Sequence, residues 1–186
     1  PDASGLFLAD RRPDVSGSVV VPTIDGHRPL LVEVQGLVVP TPFPAPRRSA
    51  QGIDAGRLPM LLAVLARRAG IELSKHDVYA LAVGGVRVSD PGGDLGIALA
   101  LASSLTDRPV PASTVAFGEI GLGGELRQVS QCTRRLTEAV RLGYRRAVVP
   151  ALSPPEPEGI EVVRAATLRE ALRAVAIAGS PARADG

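Results

Sequence analysis

The chain of 186 residues has very few of the residues from which disulfide frameworks and metal sites are built. Its only cysteine is Cys132, which excludes an internal disulfide bond and a cysteine-rich zinc site. The only histidines are His27 and His76, which argues against a catalytic zinc site. Tryptophan is absent and aromatic residues make up 3% of the sequence, so base stacking is not expected to be its main chemistry.

Lysine is almost absent too, because Lys75 is the only one and all other basic side chains except the histidines are arginines. Any mechanism that needs a lysine amine therefore has one candidate. No apolar run approaches the ~20 residues of a membrane span, and the first residues lack the basic-then-apolar order of a signal peptide. We therefore expect a cytoplasmic protein that has no membrane partner.

Motifs that bind nucleotides are missing or incomplete. No GxxxxGK[ST] sequence occurs, so the chain contains no P-loop. The glycines of residues 118–124 do not follow a strand and open a helix, as a dinucleotide-binding motif requires. A formal net charge of +2 permits an anionic partner without requiring one.

The first half of the chain predicts a hairpin, a loop and a helix. Two β-rich runs, 18–24 and 30–39, flank the turn signal Asp25-Gly26, and the spaced prolines of residues 40–52 predict a loop. Leucines at helical spacing predict a helix over 55–69. Asp54 is its candidate N-cap, Gly70 its candidate C-terminal residue, and a strand is expected in 77–88.

The second half alternates strands with helices, which favours a mixed α+β fold. Residues 89–105 predict a glycine-rich turn and a helix that is apolar on all sides and therefore buried. Residues 114–129 predict a strand, a Gly-Gly turn and a returning strand, and 131–143 an amphipathic helix. Two short parallel strands and a last helix over 168–177, capped by Thr167, complete the pattern.

Several of these blocks, in this order, resemble a known family. SDPGGDLGIALALASSL, FGEIGLGGELRQV, the helix followed by RRAVVP, and RLPMLLAVLARRAGIELSKHDVYALAVGGVRV are similar to the C-terminal domain of the RadA (Sms) family of bacterial DNA-repair proteins. That domain is itself similar to the proteolytic domain of the ATP-dependent protease Lon. The resemblance covers about residues 6–167. It implies a single Lon-protease-like α+β domain, with helices packed on one side of a mixed sheet, in the superfamily of a ribosomal-protein domain and the GHMP-type kinases.

The resemblance also implies how the chain is organised. Residues 1–16 are expected to be a linker from an N-terminal ATPase part, residues 17–178 the Lon-like domain, and residues 179–186 a flexible tail. A zinc finger and a RecA-like ATPase would precede residue 1. ATP, Mg²⁺ and Zn²⁺ would be bound there, so no cofactor and no metal ion is expected in this chain.

Lon-type peptidases use a Ser-Lys dyad, in which a lysine amine of lowered pKa takes the proton of the serine nucleophile. The family's serine lies in a Gly-Pro-Ser-Ala-Gly turn, and the matching turn here, residues 92–96, places Asp94 at that position. The lysine position falls at about Thr133. The resemblance therefore implies that both positions of the dyad are degenerate and that the chain has no catalytic residues.

Structural roles account for the same residues. Asp94 is interpreted as the N-cap of the buried helix, and Thr133 as an ordinary polar residue in a first helical turn. Lys75 is interpreted as a solvated loop residue, and Cys132 as a small buried side chain. None of the nearby serines has an evident basic partner.

Arginines carry the remaining functional signal, since their guanidinium groups bind phosphates through paired hydrogen bonds. If several converge on one face, they form a surface that binds the nucleic-acid backbone in a salt-dependent way. The alternative is that these arginines pair with carboxylates and solvate the surface. The candidates for nucleic-acid binding are Arg67, Arg68, Arg134, Arg135, Arg141, Arg145 and Arg146.

The function that the resemblance implies is that of a proteolytically inactive domain within a DNA-dependent ATPase. That ATPase would act as a branch-migration helicase together with RecA. The domain would assemble into a ring, by analogy a hexamer, and offer basic surface to DNA. Two alternatives remain open, namely an oligomerisation scaffold that does not contact DNA and an active Lon-type serine peptidase.

Overall fold

The computed structural model describes residues 3–177. They form nine strands: β1 (Ser18–Asp25), β2 (Arg28–Pro40), β3 (Arg48–Gln51), β4 (His76–Ala82), β5 (Thr114–Ala116), β6 (Glu119–Ile120), β7 (Leu126–Arg127), β8 (Arg146–Pro150) and β9 (Glu161–Ala165). The helices are α1 (Ala3–Leu8), α2 (Arg57–Ala69), α3 (Asp94–Thr106), α4 (Cys132–Arg141) and α5 (Leu168–Ala174). A 3₁₀ turn over Pro91–Gly93 leads directly into α3. The expected tail at residues 179–186 lies outside the described residues.

Seven strands form one mixed sheet in the order β3-β4-β2-β1-β5-β8-β9. The pairs β1–β2 and β2–β4 are antiparallel, whereas the pairs β3–β4, β1–β5, β5–β8 and β8–β9 are parallel. Strands β6 and β7 form a separate antiparallel hairpin. The α+β class with a mixed sheet, which the sequence predicts, is confirmed.

The hairpin predicted around residues 25 and 26 is present. Asp25 pairs with Arg28, which leaves Gly26 and His27 as the two turn residues. Gly26 has a φ of +64°, a conformation that glycine adopts without steric cost. The other predicted hairpin and the parallel pair β8–β9 are also present.

Helices cover both faces of the sheet, so the expectation of helices on one side is wrong. Alternate residues of β1 face opposite sides, and Val19 and Val21 belong to a different hydrophobic cluster from Val20. Helices α2, α3 and α5 pack on the Val19 side, whereas α4 packs on the Val20 side. The sheet is consequently an inner layer, and its central strands read as continuous apolar runs.

Three details of the first half differ from the sequence prediction, and one is that the strand expected in 77–88 ends at Ala82. Arg48–Gln51, which lies in the expected loop, forms the edge strand β3 parallel to β4. Asp54 does not cap α2, because Gly56 occupies the N-cap position and the Asp54 carboxylate accepts a hydrogen bond from the Gly56 N–H (2.9 Å). The predicted helix end at Gly70, with a φ of +69°, is confirmed.

The end of the chain follows the prediction more closely. The Thr167 side chain caps α5 by accepting a hydrogen bond from the Glu170 N–H (3.2 Å). The helix ends at Ala174, three residues before the predicted end at residue 177. Helix α3 is buried along almost its whole length, as its apolar sequence predicts.

The first described residues pack against the domain, although they lie in the segment expected to be a linker. Residues 3–8 form α1, and Ser4 is 2% exposed. The Ser4 hydroxyl accepts a hydrogen bond from the Leu31 N–H (3.0 Å) and donates one to Glu138 (3.3 Å). The Arg11 guanidinium lies 3.8 Å from the buried Glu33 carboxylate and donates to Ser18 (3.0 Å). The boundary between linker and domain at residues 16–17 stays a prediction.

None of the helices in residues 3–177 is long and apolar enough to cross a membrane.

Candidate functional site

The candidate site is built around the turn between residues 89 and 96. Asp90 has extended backbone geometry and caps the 3₁₀ turn by accepting a hydrogen bond from the Gly92 N–H (3.0 Å). Pro91 occupies the first position of that turn, where its missing N–H costs nothing. The Gly92 carbonyl then accepts a hydrogen bond from the Gly118 N–H (2.9 Å), which ties the turn to the segment between β5 and β6.

Asp94, which the resemblance aligns with the peptidase nucleophile, is held in an ion pair with Arg57. The carboxylate is 3% exposed and accepts a hydrogen bond from the Arg57 Nε–H (3.2 Å) through Oδ1. Its Oδ2 is bonded to Arg57 Nη2 and also accepts from the Ile120 N–H (3.1 Å). The Asp94 side chain is therefore occupied by an arginine from α2 and a backbone N–H from β6.

The expected role of Asp94 as the N-cap of α3 is wrong. Gly93 occupies the N-cap position, and no side chain caps the helix there. Asp94 is the first residue of α3, and its negative charge lies near the positive end of the helix dipole. Its hydrogen bonds go to other elements of the fold rather than to the first turn of its own helix.

Burial and hydrogen bonding have opposite effects on the pKa of Asp94. Burial raises the pKa of Asp94 above its usual value, and the bonds from Arg57 and the Ile120 N–H only reduce that rise. The negative charge of Glu119 nearby adds to the increase in the Asp94 pKa. The hydrogen bond to Asp94 raises the pKa of Arg57 in turn. The permanent positive charge of Arg57 therefore offsets part of the cost of burying the Asp94 carboxylate.

A small cleft of about 100 Å³ opens beside this pair. Its lining combines four carboxylates with one guanidinium and a few apolar side chains. The lining residues are Ile53, Asp54, Arg57, Val88, Ser89, Asp90, Pro91, Asp94, Ile97 and Glu119. The cleft contains neither a lysine nor a histidine, so no neutral nitrogen base lines it.

Arg135 is fully buried, so the prediction that it binds nucleic acid is wrong. Its side chain is 0% exposed and forms an ion pair with Asp90. Nη1 also donates to the Pro22 carbonyl (3.0 Å), Nε donates to the Ser130 carbonyl (2.9 Å), and Nη2 is buried without a partner. A guanidinium in this position cannot reach a phosphate in solution.

The glycine at position 92 makes room for Arg135. A Cβ atom there would lie 2.7 Å from Arg135 Nη1, which is closer than real Cβ contacts come. The guanidinium carbon also lies 5.6 Å from the centre of the Phe117 ring, within the range of a cation–π interaction. Hydrogen bonds from Arg135 and the Gly92 N–H outweigh the effect of burial, so the pKa of Asp90 is below its usual value.

Thr133, near which the resemblance places the lysine of the dyad, is exposed. Thr133 lies in the first turn of α4, and its carbonyl accepts a hydrogen bond from the Thr137 hydroxyl (2.8 Å). Within residues 3–177, the side chains of Thr133 and Asp94 form no hydrogen bond with each other. The contact between α4 and the glycine-rich turn is instead the ion pair between Arg135 and Asp90.

Lys75 does not form a displaced dyad in the described part of the chain. It lies exposed in the turn before β4, and its side chain contacts no serine hydroxyl in residues 3–177. Ser103 is buried and donates to the Arg108 carbonyl (2.6 Å), while Ser104 accepts from the Val38 N–H (3.0 Å). Burial raises the pKa of Cys132, so its thiol is a poor nucleophile.

The remaining candidate arginines lie in two separate places. Arg67 and Arg68 are exposed at the end of α2, and Arg68 Nε donates to the Leu122 carbonyl (3.3 Å) at the tip of the β6–β7 hairpin. Because α2 and α4 cover opposite faces of the sheet, this pair does not share a surface with Arg134 and Arg141. The structure thus divides the predicted arginine set.

The arginines of α4 and of the segment that follows it differ in their local partners. Arg141 forms an ion pair with Glu138 (2.6 Å), so Glu138 pairs with this residue rather than with Arg134. Arg134 bonds to the side-chain oxygen of Gln131 (2.6 Å). In the described residues, the side chains of Arg145 and Arg146 make no ion pair or hydrogen bond. Arg145 lies just before β8, whereas the half-exposed Arg146 is its first residue and, by strand alternation, shares a face with Val148 on the side of α2, α3 and α5.

Sequence reasoning missed the two arginines that organise the site. The sequence pattern predicts no role for Arg57 and predicts a surface position for Arg135. One signal was available, because Asp94 stands at the start of a helix that is otherwise apolar and predicted to be buried. A buried carboxylate requires a cation, and in a chain with one lysine that cation is most often arginine. No group of three or more potential metal ligands occurs in residues 3–177.

Comparison with known proteins gives one family and several relatives. A sequence model of the family described as subunit ChlI of Mg-chelatase matches residues 58–153. The chain is 46% identical over 182 residues to "DNA repair protein RadA" of Mycolicibacterium smegmatis, which covers 96% of this chain and 39% of that protein. It is 42% identical over 173 residues to the Bacillus subtilis protein of the same name (91% and 38%). It is 44% identical over 171 residues to that of Escherichia coli (91% and 37%).

The chain thus spans less than two fifths of the length of these three relatives. The family match covers the segment from α2 to the turn after β8, which includes Asp94, Arg135 and the glycine-rich turn. Since that match extends over more than half of the chain, the chain belongs to the family described as subunit ChlI of Mg-chelatase.

Proposed function

We propose that this chain is a proteolytically inactive, Lon-like domain of a RadA-type DNA repair protein, and that it serves ring assembly and DNA binding. The observation that carries the proposal is the Asp94–Arg57 ion pair at the position of the peptidase nucleophile. The whole protein would be a DNA-dependent ATPase that acts as a branch-migration helicase with RecA. We assign ATP hydrolysis to a part beyond this chain, because the sequence has no P-loop.

The chemistry of the pair supports proteolytic inactivity. A nucleophile for peptide cleavage must be activated by a base within hydrogen-bond reach. Asp94 instead has a guanidinium as its partner, and a guanidinium stays protonated and cannot accept a proton. The hydroxyl at position 133 is exposed, and it offers no amine. The remaining cleft keeps the position of a Lon-type site without its acid–base chemistry.

The names of the relatives support a role in DNA repair. Three relatives called "DNA repair protein RadA" align with more than nine tenths of this chain at 42–46% identity. An alignment over more than nine tenths of the chain concerns most of the fold and not one motif. The Lon-like assignment is our interpretation of the ordered sequence blocks.

The proposed DNA surface consists of Arg134 and Arg145 on the α4 side, with Arg146 at the adjoining end of β8. Arg145 and Arg146 have no side-chain partner in the described residues, and Arg134 contacts only a neutral amide. Each could bind a backbone phosphate without first breaking an ion pair. In a ring, such contacts repeat around the DNA, so a few weak contacts per subunit add up through effective concentration. Arg67 and Arg68 would form a second, separate contact on the other face.

Neutralising the three arginines of the proposed DNA surface is expected to weaken DNA binding and to reduce its salt dependence. The variant replaces Arg134, Arg145 and Arg146 with glutamine in the 186-residue chain. Losing three phosphate contacts should reduce the slope of log K against log salt by about 2.7 on duplex DNA. Fluorescence anisotropy with a labelled duplex over a series of salt concentrations measures both quantities.

A matched control removes the same charge elsewhere. Arg87, Arg169 and Arg173 lie in a loop and on α5, and replacing all three with glutamine should leave the slope almost unchanged. A third variant, with glutamine at positions 67 and 68, tests the other face. The triple variant at Arg134, Arg145 and Arg146 could instead bind DNA with the affinity and slope of the unmodified chain. That result would refute the proposed DNA surface and favour the scaffold alternative.

A further inference from the structure

Exposed apolar side chains in the described residues concentrate at two places on the fold. Seven large hydrophobic side chains are exposed, and five of them lie at the β4–β2 end of the sheet or in the segments beside it. These five are Val15, Leu37, Val39, Phe43 and Leu81. The other two, Leu122 and Leu152, lie in the β6–β7 hairpin and in the loop after β8.

The first place is an uncovered part of the sheet. Leu37 is 56% exposed and pairs across the strands with Tyr79, and Leu81 is 37% exposed on the same face of β4. The alternate residues of β2 and β4 face the α3 side and are covered there. A groove of about 610 Å³ runs over this face, and its lining includes Val15, Leu37 and Leu81.

The second place is the loop of residues 151–159 with the adjoining hairpin. Leu152 is 79% exposed, the highest value among the described large hydrophobic side chains. It lines a shallow depression of about 590 Å³ together with Leu126 and Arg127 of β7. Prolines at positions 154, 155 and 157 restrict the loop, which lowers the entropy lost when it binds.

The loops at the two places carry opposite charge, although Glu156 in the second loop already pairs with Arg164 (2.7 Å). Residues 41–50, which include Phe43, contain two arginines and no acidic residue. Residues 151–160, which include Leu152, contain two glutamates and no basic residue. Arg47 and Glu158 are exposed, and within residues 3–177 neither side chain has an ion-pair or hydrogen-bond partner. Each end of the sheet therefore has an exposed apolar side chain beside an unpaired charge. The charge is positive at Arg47 and negative at Glu158.

These two surfaces cannot meet within one molecule. In the sheet order, β4 and β8 are four strand positions apart, which corresponds to roughly 19 Å. Different surfaces that complement each other across one chain generate head-to-tail contacts, which close into a ring or continue as a filament. A contact of one surface with its own copy would instead bring like charges together and give a two-fold dimer.

We propose that the edge patch of one copy, formed by Leu37, Val39, Phe43, Leu81 and Arg47, binds the acidic loop of a second copy, formed by Leu152, Glu156 and Glu158. The inference deepens the proposed function, since it names the surfaces through which the ring is built. Leu152 enters the groove over β4 and β2, and Glu158 pairs with Arg47. The DNA surface on α4 takes no part in this contact.

A mixing experiment with the 186-residue chain tests the proposal. The edge-patch variant L37D and the acidic-loop variant L152D are each expected to sediment as monomers, because each lacks one half of the contact. An equal mixture is expected to form a heterodimer, since L152D keeps its edge patch and L37D keeps its acidic loop. The unmodified chain should form assemblies larger than a dimer in sedimentation velocity runs at increasing concentration.

A charge exchange provides a second readout that does not depend on apolar burial. R47E and E158R should each weaken association, by roughly tenfold, and a mixture of the two variants should recover it, because every contact between unlike variants pairs opposite charges. All four substitutions are at exposed positions, so thermal unfolding midpoints should stay close to that of the unmodified chain.

Several outcomes overturn the proposal. They are an unmodified chain that stays monomeric at every concentration, a mixture of L37D and L152D that stays monomeric, and association that is lost in L37D but kept in L152D. The last result would indicate a two-fold contact between edge patches. A monomeric chain that still binds DNA with a steep salt dependence would refute this contact and leave the DNA function standing. Head-to-tail assembly without salt-sensitive DNA binding would refute the DNA function alone.

Discussion

Replacement of Arg135 with methionine is expected to lower the free energy of unfolding by about 3–5 kcal/mol at neutral pH. Methionine fills much of the space of the arginine stem, so the loss comes mainly from the charge. Asp90 is 13% exposed and would be left without its cation, and the Pro22 and Ser130 carbonyls would each lose a donor. Urea unfolding followed by circular dichroism measures the difference.

The neighbouring arginine is the matched control. Arg134 is exposed on α4 and, within residues 3–177, its side chain bonds only to Gln131, so R134M should change the free energy of unfolding by less than about 0.5 kcal/mol. The two variants remove the same group from adjacent positions in one helix. Equal losses in both would show that burial of Arg135 does not stabilise the fold.

The loss in R135M is expected to depend on pH. Burial alone would raise the pKa of Asp90, but the bonds from Arg135 and the Gly92 N–H hold it below its usual value. A carboxyl group with a lowered pKa in the folded state adds stability above its unfolded pKa, and that stability is lost as the pH falls through the folded pKa. The difference between R135M and the unmodified chain should therefore shrink in the acid range.

Replacement of Arg57 with methionine is expected to lower the free energy of unfolding by about 2–3 kcal/mol at neutral pH. This is less than the loss expected when one partner of a fully buried ion pair is removed. Arg57 is 31% exposed, so water already screens part of its attraction for Asp94. The partner carboxylate is 3% exposed and would be left with one hydrogen bond, from the Ile120 N–H. Chemical unfolding at a series of pH values measures the cost.

The sign of this pH dependence follows from the raised pKa of Asp94. A carboxyl group whose folded pKa lies above its unfolded value of 3.8 destabilises the fold progressively as the pH rises between the two values. Loss of Arg57 raises the folded pKa further, so the deficit of R57M should be largest near neutral pH and vanish below the unfolded pKa. R57M/D94N should recover most of the loss, because an amide oxygen can still accept from Ile120. A deficit that is independent of pH would contradict the ionic origin.

Local patterns in the sequence predict much of this fold. The Asp25-Gly26 turn, the Thr167 cap, the Gly70 helix end and the buried apolar helix each depend on residues that are close together in the chain. The physical causes are turn geometry, capping and hydrophobic periodicity, which act over a few residues. These predictions are confirmed for that reason.

Predictions that depended on distant residues were less accurate. The amphipathic pattern of α4 shows which face of that helix is apolar, but not which face of the sheet it covers. Arg135 follows the exposed Arg134 in sequence, yet it is buried, and its ion-pair partner Asp90 lies 45 residues earlier in the chain. The Asp94–Arg57 pair spans 37 residues. The position of the candidate site could therefore be predicted from the sequence blocks, whereas its electrostatic organisation could not.

The central claim is that the cleft beside Asp94 has a structural ion pair in place of peptidase chemistry. Incubation of the folded 186-residue chain with a fluorophosphonate, followed by intact-mass and peptide mass spectrometry, tests this most directly. We expect an unchanged mass, because within residues 3–177 no serine has an amine partner. A single adduct on one serine that disappears in the K75M variant would contradict the account, since it would reveal a working serine–lysine pair.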